Sequence, residues 1–279
     1  MKRGAQHKSL VWLRADLRTA DNPALSQASS FAGTPDGVEA LFLVCPFEWE
    51  RHDWGAVRVD FLQRNLRSLA RELWTRFRIP LHVRVVARYA DVPACVLDVC
   101  REQGIDVVWF NGELEWDEAQ RDGAVTAALD AAHILCRPLQ DQCVVEPGRV
   151  LTRESRPYAV FTPFKRTWLA YLEAHPLVLE APVAVQGRVA PDGQRVDALV
   201  AAIDAAFAAL PQPLRALDAA KGRVLAAQWP EGEAAAQARL GEFLARHGAA
   251  YKEDRDVPAL EHGTSRLSAY LALGVLSAR

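Results

Sequence analysis

No stretch of this 279-residue sequence approaches the roughly 20 consecutive apolar residues that a membrane-spanning helix needs. The nearest candidate, residues 198–210, is too short and is interrupted by Asp204. The opening MKRGAQHKSLVWL holds basic residues, a strand-length apolar run and no small-residue cleavage pattern, so no secretory leader is expected. The five cysteines (Cys45, Cys95, Cys100, Cys136 and Cys143) form no CxxC pair and no metal-site spacing with histidines. An odd set of this kind reads as inert, buried thiols in a reduced, cytosolic protein. An excess of positive charge is missing as well: 33 Lys and Arg stand against 35 Asp and Glu, a formal net charge of −2. Proteins that live on DNA gain affinity by neutralising phosphates, so nucleic-acid contact here needs a local patch or residues outside this sequence. No GxGxxG follows the first strand, and no GxxxxGKS or GxxxxGKT occurs, which leaves out the usual glycine-loop phosphate cradles.

What is present is ordinary for a globular protein, with 50% apolar and 24% charged residues, and the length suggests about two domains. From residue 9 to about 145, β-rich runs alternate with helical patterns, the signature of a parallel sheet covered by helices. The strands are read at Ser9–Leu13, Val38–Cys45, Leu81–Val86, Ile105–Phe110 and near Cys143–Val145. Asn22 before Pro23 makes a helix start, with the amide as cap and proline at the first helical position. Val59, Leu62, Leu66, Leu69 and Leu73 recur at helical spacing. Val92, Cys95, Val96, Val99 and Cys100 mark a helix over 92–103 that Gly104 caps, and another helix is read over 116–131. The expected fold is α/β: a five-stranded, doubly wound parallel sheet over residues 1–145.

From about His175 to Pro230 the pattern loosens, and six prolines punctuate it, including Pro191. Residues 146–229 therefore read as an exit helix and an interdomain connection over the surface, with a weak alanine-rich helix between Val200 and Leu210. The helical pattern resumes at Glu231–His247, with Leu240, Phe243 and Leu244 on one face, and residues 230–279 read as all-helical.

A ligand of the α/β unit would sit beyond the carboxyl ends of the strands, near Arg14–Arg18, Cys45–Trp49 and Asn111–Glu118. Those stretches are also readable as plain polar loops. The segment GTSRLS is more pointed: Thr264 reads as a helix cap, with Ser265 and Ser268 in the first turn. Hydroxyls and free N–H groups there suit a phosphate, with Arg266 adding charge, although simple capping explains the same residues. Trp12, Trp109 and Trp168 read as packing residues.

Four segments, in order, resemble those of DNA photolyases and cryptochromes of the class I deoxyribodipyrimidine type. They are LVWLRADLRTADNPAL (10–25), VFTPFKRTWLAYL (160–172), WPEGEAAAQARLGEFL (229–244) and YKEDRDVPALEHGTSRLSAYLALGVLSAR (251–279). The resemblance implies an antenna domain followed by the start of a helical FAD-binding domain. It implies FAD held through Tyr251, Thr264, Ser265, Arg266, Leu267 and Ser268, and a DNA-backbone contact at Arg255. Family members with a folate antenna hold it partly through an Asn-Glu pair, matched here by Asp117 and Glu118. Asp in place of Asn adds charge and loses a donor, so methenyltetrahydrofolate, a deazaflavin, a second flavin or an empty site all stay open. The implied activity is light-driven splitting of pyrimidine dimers in DNA by an electron from excited reduced FAD, in a monomeric, non-membrane, cytoplasmic protein. The alternative is a photoreceptor without repair turnover. The segment that ends at Arg279 falls inside the family's flavin domain, so the expectation is of an amino-terminal fragment, inactive alone, whose last helix has no partner for its apolar face.

Overall fold

The computed structural model of the chain describes residues 7–31, 37–187, 190 and 192–279. Residues 1–6, which carry part of the leader reading, and Pro191 lie outside the described residues. Five strands, β1 Ser9–Leu13, β2 Val38–Val44, β3 Leu81–Val85, β4 Val107–Gly112 and β5 Leu135–Gln140, form one all-parallel sheet in the order β3-β2-β1-β4-β5. β1 and β2 are buried at every position, as a sheet covered on both faces requires. Alternate residues of β1 feed two separate cores. Val11 and Leu13 face α1 (Pro23–Phe31) and α3 (Ala56–Glu72), while Leu10 and Trp12 face α4 (Val92–Gln103) and α5 (Trp116–Ala131). A short α2 (Pro46–Arg51) follows β2. The fold is therefore α/β and doubly wound, as the alternation of patterns predicts.

Local chemistry explains the boundaries. Asn22 accepts a hydrogen bond from Leu25 N–H at 3.2 Å, capping α1 as expected. Gly104 closes α4 at φ +64°, in the left-handed region where a side chain is penalised. The expected strand at Cys143–Val145 is a correction: the fifth strand is Leu135–Gln140, paired with β4 from Val107↔Leu135 to Gly112↔Gln140. Its residues are half-exposed and include Pro138, which an edge strand tolerates, so it lacks the apolar run that marks the inner strands.

The region read as an irregular connection is largely helical, a second correction. After α6 (Phe161–Ala174) come α7 (Gly193–Ala208), α8 (Gln212–Arg215) and α9 (Ala219–Gln228). Asp192 caps α7 by accepting from Gln194 N–H at 2.9 Å. Leu199, Ile203 and Phe207, spaced four apart, are buried in the core that α3 and the sheet share. A stripe of three large residues among alanines, the best helix former, is sufficient to hold α7 on α3. By contrast, α6 buries none of its residues, and Trp168 on it is half-buried, whereas Trp12 and Trp109 are core.

α10 (Glu233–Arg246) and α11 (Tyr251–Asp254) precede a turn and then α12 (Ser268–Ala272). α12 begins three residues later than the sequence suggests, with Leu267 in place of Thr264 at the cap position. Residue Arg266 sits at φ +52°, and its carbonyl accepts the Trp229 indole N–H at 3.4 Å. Gly263 packs so tightly on Asp254 that a Cβ would come 2.7 Å from its carbonyl oxygen. These tertiary contacts hold 263–267 as a turn. The apolar face of the last helix is not unpartnered either: Tyr270, Leu273, Val275 and Leu276 are buried in the main core, with Tyr270 edge-on to Phe61. Among the described residues no helix is long and apolar enough to cross a membrane.

Candidate functional site

The strand order reverses between β1 and β4, and the carboxyl ends of these two strands diverge there. A cavity of about 540 Å³ opens at this point. All three expected stretches reach it: Arg14 and Ala15 after β1, Cys45 and Trp49 after β2, and Glu113, Glu115 and Glu118 after β4. Tyr89, Arg121 and Gln142 complete the polar part, and Leu271, Ala272 and Leu273 close one side.

The inner wall is a buried ion cluster. Arg121 donates to Glu113 at 2.6 Å and to Asp122 at 2.8 Å, and Arg14 donates to Asp122 at 3.0 Å. Burial alone would lower the pKa of Arg121, but the charges of Glu113 and Asp122 outweigh it and raise it. Both guanidiniums also lie on rings, Arg14 at 4.3 Å from Trp12 and Arg121 at 4.8 Å from Tyr89. Tyr89 donates its hydroxyl to Glu118 at 3.0 Å, and burial, with Glu118 nearby, pushes the phenol above its ordinary range, so it stays a donor. Arg14 Nε is buried, makes no hydrogen bond and stands 3.9 Å from a Glu113 carboxylate oxygen.

The opposite wall is aromatic. Trp49 and Trp54 stack at 5.0 Å with their planes only 4° apart, and Arg58 covers Trp54 at 3.6 Å from the ring centre. Cys45 behind them is inert: burial pushes its thiol up to about 12, as it does Cys100. Cys95 and Cys136, half-buried, are also pushed up by burial. Among the described residues no group of three or more His, Cys, Asp or Glu could hold a metal ion.

The expected antenna pair is split by the fold. Glu118 lines the cavity, whereas Asp117 is turned to the rim, where Arg51 pairs with it and His52 stands at 3.6 Å. Tyr89, Arg121 and Trp54 escape the sequence reading. Arg121 was recoverable, because it stands one turn beyond Glu118 on α5 and shares its face. Tyr89 lies in a short turn between β3 and α4, and only the fold brings it to Glu118.

The other expected residues lie along the chain's last stretch. Thr264 and Ser268 are exposed, Ser265 and Arg266 half-buried, and Leu267 buried. No side chain caps α12, and Arg266 leans toward Glu261 at 3.8 Å instead of joining the hydroxyls. Ser268 borders an apolar groove of about 590 Å³ formed with Phe61, Trp229, Ala272 and Leu273. Tyr251 is exposed and packs edge-on to Phe243 at 5.8 Å, and Arg255 meets Asp256 at 3.4 Å in solvent. The hydroxyls are therefore presented as one open wall, in contrast to the sheet-end cavity, which has walls from several elements.

The DNA photolyase family model matches residues 9–186. The deoxyribodipyrimidine photo-lyase of Vibrio cholerae is 33% identical over 271 residues, covering 97% of this chain and 53% of that protein. A bacterial class III photolyase from Agrobacterium tumefaciens superposes with a TM-score of 0.76 at 25% identity, over 98% of this chain and 52% of the other. A Synechocystis cryptochrome shares the fold, with a TM-score of 0.68 at 20% identity, over 97% of this chain and 53% of the other. The chain thus spans about half the length of the curated relatives it matches. A doubly wound sheet with its cavity at the strand reversal agrees with these likenesses, and the chain belongs to the DNA photolyase family.

Proposed function

We propose that the chain supplies the light-gathering and cofactor-gripping part of a photolyase that repairs pyrimidine dimers in DNA. The observation that carries this reading is the sheet-end cavity: a flat heteroaromatic fits between a stacked tryptophan wall and a wall of fixed arginines. Trp54 and Leu62 offer apolar area, and Tyr89 and Gln142 sit at polar edges. The three cavity arginines (Arg14, Arg58, Arg121) balance Glu113, Glu115 and Glu118, so an antenna molecule of small net charge is favoured. Because Asp117 is engaged by Arg51, the pterin grip expected of an Asn-Glu pair is reduced to Glu118, which tilts the reading from methenyltetrahydrofolate toward a deazaflavin or flavin.

Residues 230–279 we assign to the entry of the helical cofactor domain. The hydroxyls of Thr264, Ser265 and Ser268 would hold the diphosphate of FAD, with Tyr251 and Leu267 beside it and Arg255 on the DNA backbone. FAD, when bound, reduced and excited, provides the electron that splits the dimer. The residues of this chain hold, orient and exclude water. A dimer would be extruded from the duplex to reach such a site.

The test is a spectrum and a turnover. The purified chain should retain an antenna absorbing in the near ultraviolet or blue, at one per chain. Irradiation of the whole flavin-loaded photolyase, of which this chain supplies a part, with a dimer-containing oligonucleotide should restore intact thymines. Bound flavin with no restored thymines would favour the second reading, a blue-light photoreceptor.

A further inference from the structure

The cavity wall formed by Leu271–Leu273 belongs to the same short segment as the hydroxyl turn, and that segment is fastened at both ends. On the near side, Tyr270 donates its hydroxyl to the Pro230 carbonyl at 2.7 Å. On the far side, the loop after β1 receives it. Leu17 N–H donates to the Leu273 carbonyl at 3.0 Å, and Arg18 donates to the Gly274 carbonyl at 3.2 Å. Gly274, at φ +62°, lies so close that a Cβ would stand 1.9 Å from the Ala15 carbonyl oxygen. Arg279 then donates to Asp21 at 3.1 Å and to Asp141 at 2.8 Å, Ser277 donates to Asp21, and Arg18 holds Asp141 at 2.5 Å. These ionic partners are largely buried, Arg279 at 10% and Asp21 at 8% side-chain exposure.

We propose that residues 268–279 form a strap that couples the sheet-end cavity to the 264–268 turn, so that a ligand in one site orders the other. The idea rests on the reading of the cavity as a site for a flat aromatic ligand. Two states are defined: strap docked, with Leu271 and Leu273 lining the cavity, and strap released. A ligand in the cavity touches those leucines only in the docked state, so it must favour docking by its differential contact. Docking fixes Leu273 and Gly274 against 15–18, which fixes the turn nine residues upstream through one continuous piece of backbone. By linkage, whatever orders the turn strengthens binding in the cavity by the same factor. Arg279 does not line the cavity, so it would act here as a positioning residue, through the strap.

The test uses the purified chain with FMN and, separately, methenyltetrahydrofolate as probes. Hydrogen exchange of amides 264–279 should slow when the cavity is saturated. Arg279→Ala, with the lining untouched, should weaken the bound probe by about fivefold and abolish part of that protection. Because Arg279→Ala leaves Asp21 less well partnered, Ser277→Ala serves as the milder variant and should shift affinity in the same direction by a smaller factor. Equal affinities in wild type and both variants, or binding that leaves exchange over 264–279 unchanged, would overturn the coupling while leaving the cavity reading intact. If neither probe binds the wild-type chain, the cavity reading itself fails and the coupling goes with it.

Discussion

The two candidate sites of this protein are built to different standards of enclosure. The sheet-end cavity is fixed by two cores: Trp12 and Phe110 belong to one, Trp49 and Leu62 to the other, and Arg14 and Arg121 are held by carboxylates and rings together. The hydroxyl turn has a single tightly packed side. Leu267 and Tyr270 anchor it inward, while Thr264 and Ser268 face solvent. A buried site formed by side chains from five separate loops cannot be rearranged locally without disturbing the sheet. An exposed turn costs little to alter. Substitutions in the first region should therefore act mainly through stability, and substitutions in the second mainly through ligand retention.

The sharpest break comes from the ion cluster. Arg121→Ala would leave Glu113 and Asp122, both nearly buried, to share the single charge of Arg14. Removing one partner of such a group costs on the order of 3–5 kcal/mol, so the urea midpoint should fall steeply. The paired replacement of Arg121 and Asp122 by Leu and Ala should recover part of the loss. If Arg121→Ala unfolds at the wild-type midpoint, the cavity wall is solvated and the contrast collapses.

Next in size is Ile203→Ala on α7. Ile203 is fully buried against α3, so the change should cost about 3 kcal/mol by cavity formation. A thermal scan that moved by less than a degree would restore the view of 175–230 as a loose surface connection.

That helix shows where sequence reading works and where it stops. Asn22-Pro23, Gly104 and the apolar stripe of α3 are local signals, and the fold reproduces them because each acts within one turn of its own chain. β5 was missed because an edge strand is stabilised by one neighbour, and Pro138 hides the pattern. α7 was underrated because prolines flank it, although Leu199, Ile203 and Phe207 were spaced to be read. In the site, Arg14 and Glu118 were legible from strand ends. Tyr89 and the strap were not, since only the closed sheet brings residue 89 to residue 118, or 273 to 17.

A smaller effect, set by pH, probes the junction of the two regions. Burial by itself would raise the pKa of Asp21, but hydrogen bonds from Ser277, the Glu180 N–H and Arg279 outweigh it and hold the carboxyl below its ordinary range. With the folded value depressed, this stabilisation is complete above about pH 4, the unfolded value, and is lost as pH falls through the folded value. Arg18 and Asp141 face the same spot. Protection factors of amides 270–279, corrected for the intrinsic exchange rate, should fall below about pH 4 more in wild type than in Asp21→Asn.

The smallest stability effect belongs to the turn. Thr264→Ala with Ser265→Ala removes two hydroxyls that cap no helix and sit in or near solvent, so unfolding free energy should change by no more than about 0.5 kcal/mol. Ligand retention should respond quite differently. If these hydroxyls hold a diphosphate, the double variant loses two hydrogen bonds to charged oxygens, each worth roughly 1.5–3 kcal/mol. Titration with FAD, read by quenching of flavin fluorescence, should then show an affinity lower by at least tenfold. Titration with riboflavin, which lacks the phosphates, should show no change. A variant that loses both ligands equally would place the flavin ring, and not its phosphates, at the turn. One that loses neither would return Thr264 and Ser265 to the role of ordinary turn residues and leave the sheet-end cavity as the stronger candidate site.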